Sequence, residues 1–126
     1  VATDYQALFN AADAAGQAAA EAKVPTPMIV VQRANPFDDT SEVVKQYAPV
    51  TGGVCGFAWV TVKPGTAGFA RWTRKQGLTR RGYYGGEQYW VSRYGQSMER
   101  KEAYAGAFAE VLREAGLEAY AGSRMD

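Results

Sequence analysis

Histidine is absent from this 126-residue chain, and cysteine occurs once, as Cys55. With no imidazole and a single thiol, a zinc site of ordinary composition cannot be assembled, and Cys55 has no partner for an intrachain disulfide. A reducing, cytosolic setting is the expectation. Long apolar runs are missing as well. The longest apolar-looking stretch, "GGVCGFAWVTV" at residues 52–62, falls far short of the roughly 20 residues that span a bilayer, and no signal-peptide pattern opens the chain. No membrane partner is expected. Nor is there a nucleotide-binding glycine fingerprint or a serine elbow, so the commonest kinase and hydrolase designs find no support and no catalytic residue or cofactor is assigned.

Acid is the next absence. No Asp or Glu occurs from residue 43 to residue 86, while Lys45, Lys63, Arg71, Arg74, Lys75, Arg80 and Arg81 all lie there. The net charge of +1 conceals this, because all 13 acids fall outside that block with the remaining half of the 14 cations. An acid-free basic block favours an anionic partner, nucleic acid or an acidic protein, and the acidic remainder restrains indiscriminate binding to polyanions.

What is present is the material of one core. A chain of 126 residues that is 47% hydrophobic has the length of a single domain, residues 1–126, that stands without staples. Asp4, or Thr3 before it, N-caps a helix running to about residue 23, with Tyr5, Leu8, Ala12, Ala15 and Ala19 as a narrow apolar stripe suited to close approach to a sheet. Pro25 and Pro27 end it. Residues 28–31 form a β-branched run that reads as a buried strand, and residues 34–42 as a loop. Residues 43–50 pair back as an irregular strand, made an edge by Pro49, through a turn at Thr51-Gly52-Gly53.

Residues 52–62 give the clearest strand, punctuated by Pro64-Gly65. Thr66 then caps a short helix to Gln76, with Gly77 at its left-handed end, Phe69 and Trp72 on the core side, and Arg71, Arg74 and Lys75 on the other. "LTRRGYYGG" reads as a flexible loop. Residues 87–94 alternate as a further strand with aromatics on both faces. Ser97 caps the clearest periodic helix, residues 98–115, whose apolar positions Tyr104, Phe108, Val111, Leu112 and Ala115 fall at i, i+4, i+7, i+8 and i+11. Gly116 closes it before a short final strand and the polar end "GSRMD". The expected fold is α+β: a four- to five-stranded, mostly antiparallel sheet with two long helices and one short one.

Two constellations bear on function. "RWTRKQGLTRRGYYGG" interleaves Arg71, Arg74, Lys75, Arg80 and Arg81 with Trp72, Tyr83 and Tyr84. Cations neutralise phosphates, tyrosines offer stacking planes, and glycines let backbone amides approach an anion. Asp38, Asp39 and Glu42 cluster in one loop and with Glu87 offer carboxylates for magnesium, as a metal-dependent nuclease requires, although acids in such a loop serve more commonly as caps.

Gly56-Phe57-Ala58-Trp59-Val60 resembles the middle of the signature strand of the RNA-recognition motif, in which exposed aromatics stack on bases. Cys55 stands where that motif carries a basic residue, Val62 replaces its last aromatic, and the element order lacks its opening strand unless the final strand substitutes. The alternation of Val54, Ala58, Val60 and Val62 against Phe57 and Trp59 favours instead a central strand covered on both sides, by the first and last helices, with Cys55 packed and inert.

The phrases "GGVCGFAWVTVKPG", "FARW", "YYGG", "YAGAFAEVLREAG" and "AYAGSRMD", spread over residues 50–126, resemble a group of small tailed-bacteriophage proteins. That resemblance implies an accessory protein working in the bacterial host cytoplasm and brings no activity, cofactor or catalytic residue. The sequence therefore points to a non-enzymatic module that engages nucleic acid through Arg71, Arg74, Lys75, Arg80, Arg81, Tyr83 and Tyr84. A factor docking an acidic host or phage protein is the alternative, and a metal-dependent nuclease the further one.

Overall fold

A computed structural model describes residues 4–27, 29, 31–46 and 53–126. Asp4 caps α1 (Tyr5–Ala22) by accepting the Ala7 amide on its carboxylate at 2.9 Å. The helix ends at Lys23, before the prolines that cannot continue it. A small ribbon follows, β1 (Val31–Arg33) antiparallel to β2 (Val43–Gln46), with a bulge between Gln32 and Arg33. The buried strand expected at residues 28–31 is not found among the described residues: Ile29 is exposed and β1 begins at Val31. A two-stranded ribbon leaves both its faces open to water, so β-branched residues there are not buried. Met28, Val30 and the stretch expected to carry Pro49, Thr51 and Gly52 lie outside the described residues.

The rest of the chain is a βαββαβ unit: β3 (Gly56–Lys63), α2 (Gly68–Lys75), β4 (Arg80–Arg81), β5 (Glu87–Trp90), α3 (Met98–Glu114) and β6 (Glu118–Met125). Its four strands lie in the order β4-β5-β3-β6, and every neighbouring pair is antiparallel. This is the split βαβ connectivity of ferredoxin-like folds. β3 is thus the opening strand of the unit, and no permutation is involved. The fold is α+β, with two long helices, one short helix, a four-stranded sheet and the separate ribbon.

Handedness decides where the helices go. The crossover from β3 to β4 moves toward one edge of the sheet, and that from β5 to β6 toward the other, but β3 and β5 run in opposite directions. Two right-handed crossovers therefore place α2 and α3 on the same face. α1 joins them: Gly16 meets the Tyr104 ring so closely that a Cβ would lie 2.7 Å from it, and Phe9 packs edge-on against Tyr89 and Phe108 at 5.4 Å. The alanine stripe, realised as Ala12, Gly16 and Ala20, approaches a helix rather than a sheet. The core lies between these helices and Ala58, Val60, Val62, Tyr89 and Ala119 of the sheet. Coverage of β3 on both sides, expected from its alternation, is not observed among the described residues.

Smaller departures have local causes. The short helix starts at Gly68 from Ala67, without a side-chain cap from Thr66. "LTRRGYYGG" is a hairpin rather than a loop, because Gly85 and Gly86 adopt positive φ and let Gly82 and Gly86 close the turn between β4 and β5. β5 stops at Trp90 because Tyr94 and Gly95, both at positive φ, turn the chain toward α3. The last strand runs to Met125, since the "polar end" pairs along β3 as far as Gly56. No helix among the described residues is long and apolar enough to cross a membrane.

Candidate functional site

Antiparallel partners project to the same side, so the register names the residues on the helix-free face. β3 contributes Phe57, Trp59 and Lys63; β5 contributes Gln88 and Trp90; β6 contributes Tyr120, Gly122 and Arg124; β4 contributes Arg80. Trp59 and Trp90 are direct cross-strand partners and stack with centroids 4.7 Å apart and 30° between planes. On the far side of Trp59 the register places Gly122, where a Cβ would lie 2.6 Å from the indole nitrogen, so only glycine lets the ring lie across β6. Phe57 adds a third ring, edge-on to Trp90 at 6.2 Å.

Cations frame this aromatic row. The Arg80 guanidinium lies 4.6 Å from the Trp90 ring centre, and Arg124 lies 5.4 Å from Phe57 and 5.9 Å from Trp90. Lys63 sits 5.7 Å over Tyr120 at the other end. Neither Arg80 nor Arg124 forms an ion pair with a described carboxylate. Two acids lie in register with this face, Glu118 opposite Lys63 and Asp126, whose amide donates to the Cys55 carbonyl. Beside Trp90, a cleft of about 320 Å³ opens between the α2–β4 connection and β5, lined by Gly77, Leu78, Thr79, Arg80, Gln88 and Trp90.

The seven residues singled out from sequence divide between surfaces. Arg80 belongs to the open face. Tyr83 and Tyr84 stand at the hairpin tip, 91% and 88% exposed, edge-on to one another at 4.8 Å. Arg81 lies beside them on β4, opposite Glu87. Arg71 and Lys75 are exposed on α2, on the helix side of the sheet. Arg74 is engaged: its guanidinium donates to both Glu87 oxygens, with Nη2 to Oε2 at 2.5 Å, while Thr79 donates to Oε1 at 3.0 Å. The Glu87 side chain is fully buried, and Arg74 above all holds its carboxyl below the usual glutamate range against the opposing effect of burial. Arg74 therefore neutralises a buried acid instead of joining Arg80.

The same pair bears on the carboxylate set. Glu87 is committed to Arg74 and Thr79, Asp38 caps Thr40 within its own loop, and among the described residues no three metal-ligating side chains gather. On the helix side, Asp13 accepts from Tyr104, Arg93 and Gln17, tying α1 to α3 and to the segment after β5. Burial alone raises the Asp13 pKa, but these hydrogen bonds outweigh it and lower the value, while burial and the bond to Asp13 push the Tyr104 phenol up. Cys55 is exposed, contrary to the packed thiol expected, because it precedes β3 in a lone bridge with Ser97 and no helix covers it.

Sequence reasoning assigned no binding role to Phe57, Trp59, Trp90 or Arg124. The signals were present in the likeness of residues 56–60 to an RNA-binding strand and in the alternation of Gln88 and Trp90, but which face stays open is a property of the crossovers. No family model, curated protein or solved structure matches the chain, so a functional reading of this face rests on its own geometry.

Proposed function

We propose that the protein binds single-stranded nucleic acid on the open face of its four-stranded sheet. One observation carries the reading: Trp59 stacked on Trp90 across the two central strands, with Arg80 and Arg124 beside them and without a carboxylate partner among the described residues. Rings on a flat sheet offer hydrophobic edges and faces to unpaired bases, and flanking guanidiniums meet the phosphates between them. A duplex hides its base faces, so it gains only the electrostatic part. The hairpin tip, with Arg81, Tyr83 and Tyr84, extends the surface beyond the Lys63 end of β3, where Gly65 lies against Gly86. The likeness to small phage proteins makes the bacterial host cytoplasm the setting.

A second reading, docking of an acidic protein, is favoured by Arg71 and Lys75, which are exposed on α2 and away from the aromatic row. One titration separates the two. Fluorescence anisotropy with labelled single-stranded and double-stranded oligonucleotides, at two salt concentrations, is expected to give tighter binding of the single strand. The double variant Arg80→Ala/Arg124→Ala is expected to reduce the salt slope by about 1 to 2, roughly one per lost phosphate contact. Absence of salt-dependent oligonucleotide affinity overturns the nucleic-acid reading, and an acidic protein partner takes its place.

A further inference from the structure

The cleft beside Trp90 lies at the end of the aromatic row and shares two residues with it, Arg80 and Trp90. At about 320 Å³ it stands at the lower end of the roughly 300–1,000 Å³ typical of ligand sites, a volume for one planar group. The strand order places Trp90 between Trp59 on one side and Arg80 on the other. The ring surface facing the cleft is therefore covered by a guanidinium that has no described carboxylate to hold it there. Leu78 supplies an apolar wall. Gln88 accepts the Trp90 indole N–H at 3.2 Å, which fixes the ring and leaves the Gln88 amide group as a donor at the cleft edge.

We infer that this cleft is a nucleotide slot: a base replaces the Arg80 guanidinium on Trp90, and the displaced guanidinium takes the phosphate of the same nucleotide. Both groups are planar and stack on an indole, but a base does so more strongly than an exposed cation, and the exchange gives Arg80 an anionic partner. The inference deepens the proposed function, since the slot seats one base of the bound strand, and it is tested separately from it.

Thymidine monophosphate, adenosine monophosphate, inorganic phosphate and a short oligothymidylate are titrated into the protein while the indole N–H resonances are followed by NMR, with Trp90 assigned through Trp90→Phe. Either mononucleotide is expected to shift the Trp90 signal and leave that of Trp72 in place, and phosphate alone to leave both. Arg80→Lys keeps the charge but uncovers the ring, so it is expected to bind the mononucleotides at least as tightly as the unmodified protein. Arg80→Ala is expected to bind them about tenfold more weakly than Arg80→Lys, as befits loss of a charge-assisted contact. Oligothymidylate binding without a mononucleotide shift at Trp90 overturns the slot and leaves the open-face reading standing. A mononucleotide shift without oligonucleotide binding supports the slot and overturns that reading. If neither ligand moves Trp90, both fall.

Discussion

The two faces of the four-stranded sheet are built from the same alternating strands, yet they do opposite things with their aromatic residues. On the helix side, Tyr89, Tyr104 and Phe108 are locked among α1, α3 and β5, with Tyr89 and Phe108 stacked at 5.1 Å and Tyr104 hydrogen-bonded to Asp13. On the other side, Trp59 and Trp90 stack on one another beside Arg80, and Phe57 has Arg124 and, reaching over from α3, Lys101 near its ring. The first arrangement excludes water and stabilises the fold. The second leaves the rings half-buried beside exposed guanidiniums. The difference shows that a hydrophobic strand face is not evidence of a core until something is seen to cover it.

The sharpest way to break this comparison is to truncate one ring on each face. Phe108→Ala removes a ring only 1% exposed and is expected to cost about 3 to 5 kcal/mol in chemical denaturation, with oligonucleotide binding per folded molecule unchanged. A loss below about 1 kcal/mol means that the helix face has been misread. Trp59→Ala, on the open face, is expected to reverse the pattern: binding weakens by about 1 to 3 kcal/mol while stability falls by less than for Phe108→Ala. If Trp59→Ala instead unfolds the protein as readily as Phe108→Ala, the open face is structural and the comparison collapses.

Acid sharpens the same contrast at Glu87. Its pKa is depressed in the folded state, so its contribution to stability is present above the ordinary glutamate value of about 4.3 and is lost as the pH falls through the lower folded value. The unmodified protein is therefore expected to lose stability on acidification below that point, and Glu87→Gln to show a flatter acid limb in denaturant melts across pH. Identical limbs in the two proteins rule out the Arg74–Glu87 pair as a contributor. The smallest effect is expected at Cys55, whose exposure predicts rapid modification by a thiol reagent in the folded protein with little change in melting temperature. A protected thiol means that the segment before β3 is covered.

Much of the architecture was legible in the sequence because it is written in local chemistry. Asp4 and Ser97 cap their helices, Phe108 and Leu112 mark the buried side of α3, and the apolar run at residues 52–62 becomes the central strand β3. The short elements were less legible. Arg80 and Arg81 carry no strand signal of their own and become β4 only by pairing with β5. Ile29 has strong β propensity, but propensity does not supply a partner to bury it, and the residue is exposed. Of the residues singled out from sequence, Arg80 lies on the open face and the tyrosines at the hairpin tip, while Arg74 was drawn away by Glu87, thirteen positions later, through a contact that no local pattern announces.

The sequence by itself determined the helices, the central strand, the basic block free of acid, and the alternation that divides Ala58 and Val60 from Phe57 and Trp59. Periodicity is a property of neighbouring residues, so it survives without knowledge of the fold. Only the tertiary structure decided that α1, α2 and α3 share one side of the sheet, which leaves Trp59 and Trp90 open and brings Arg124 beside Phe57 from the far end of the chain. The physical reason is that a side chain's direction is set by its own strand, whereas its environment is set by the handed path of the chain that connects that strand to the next.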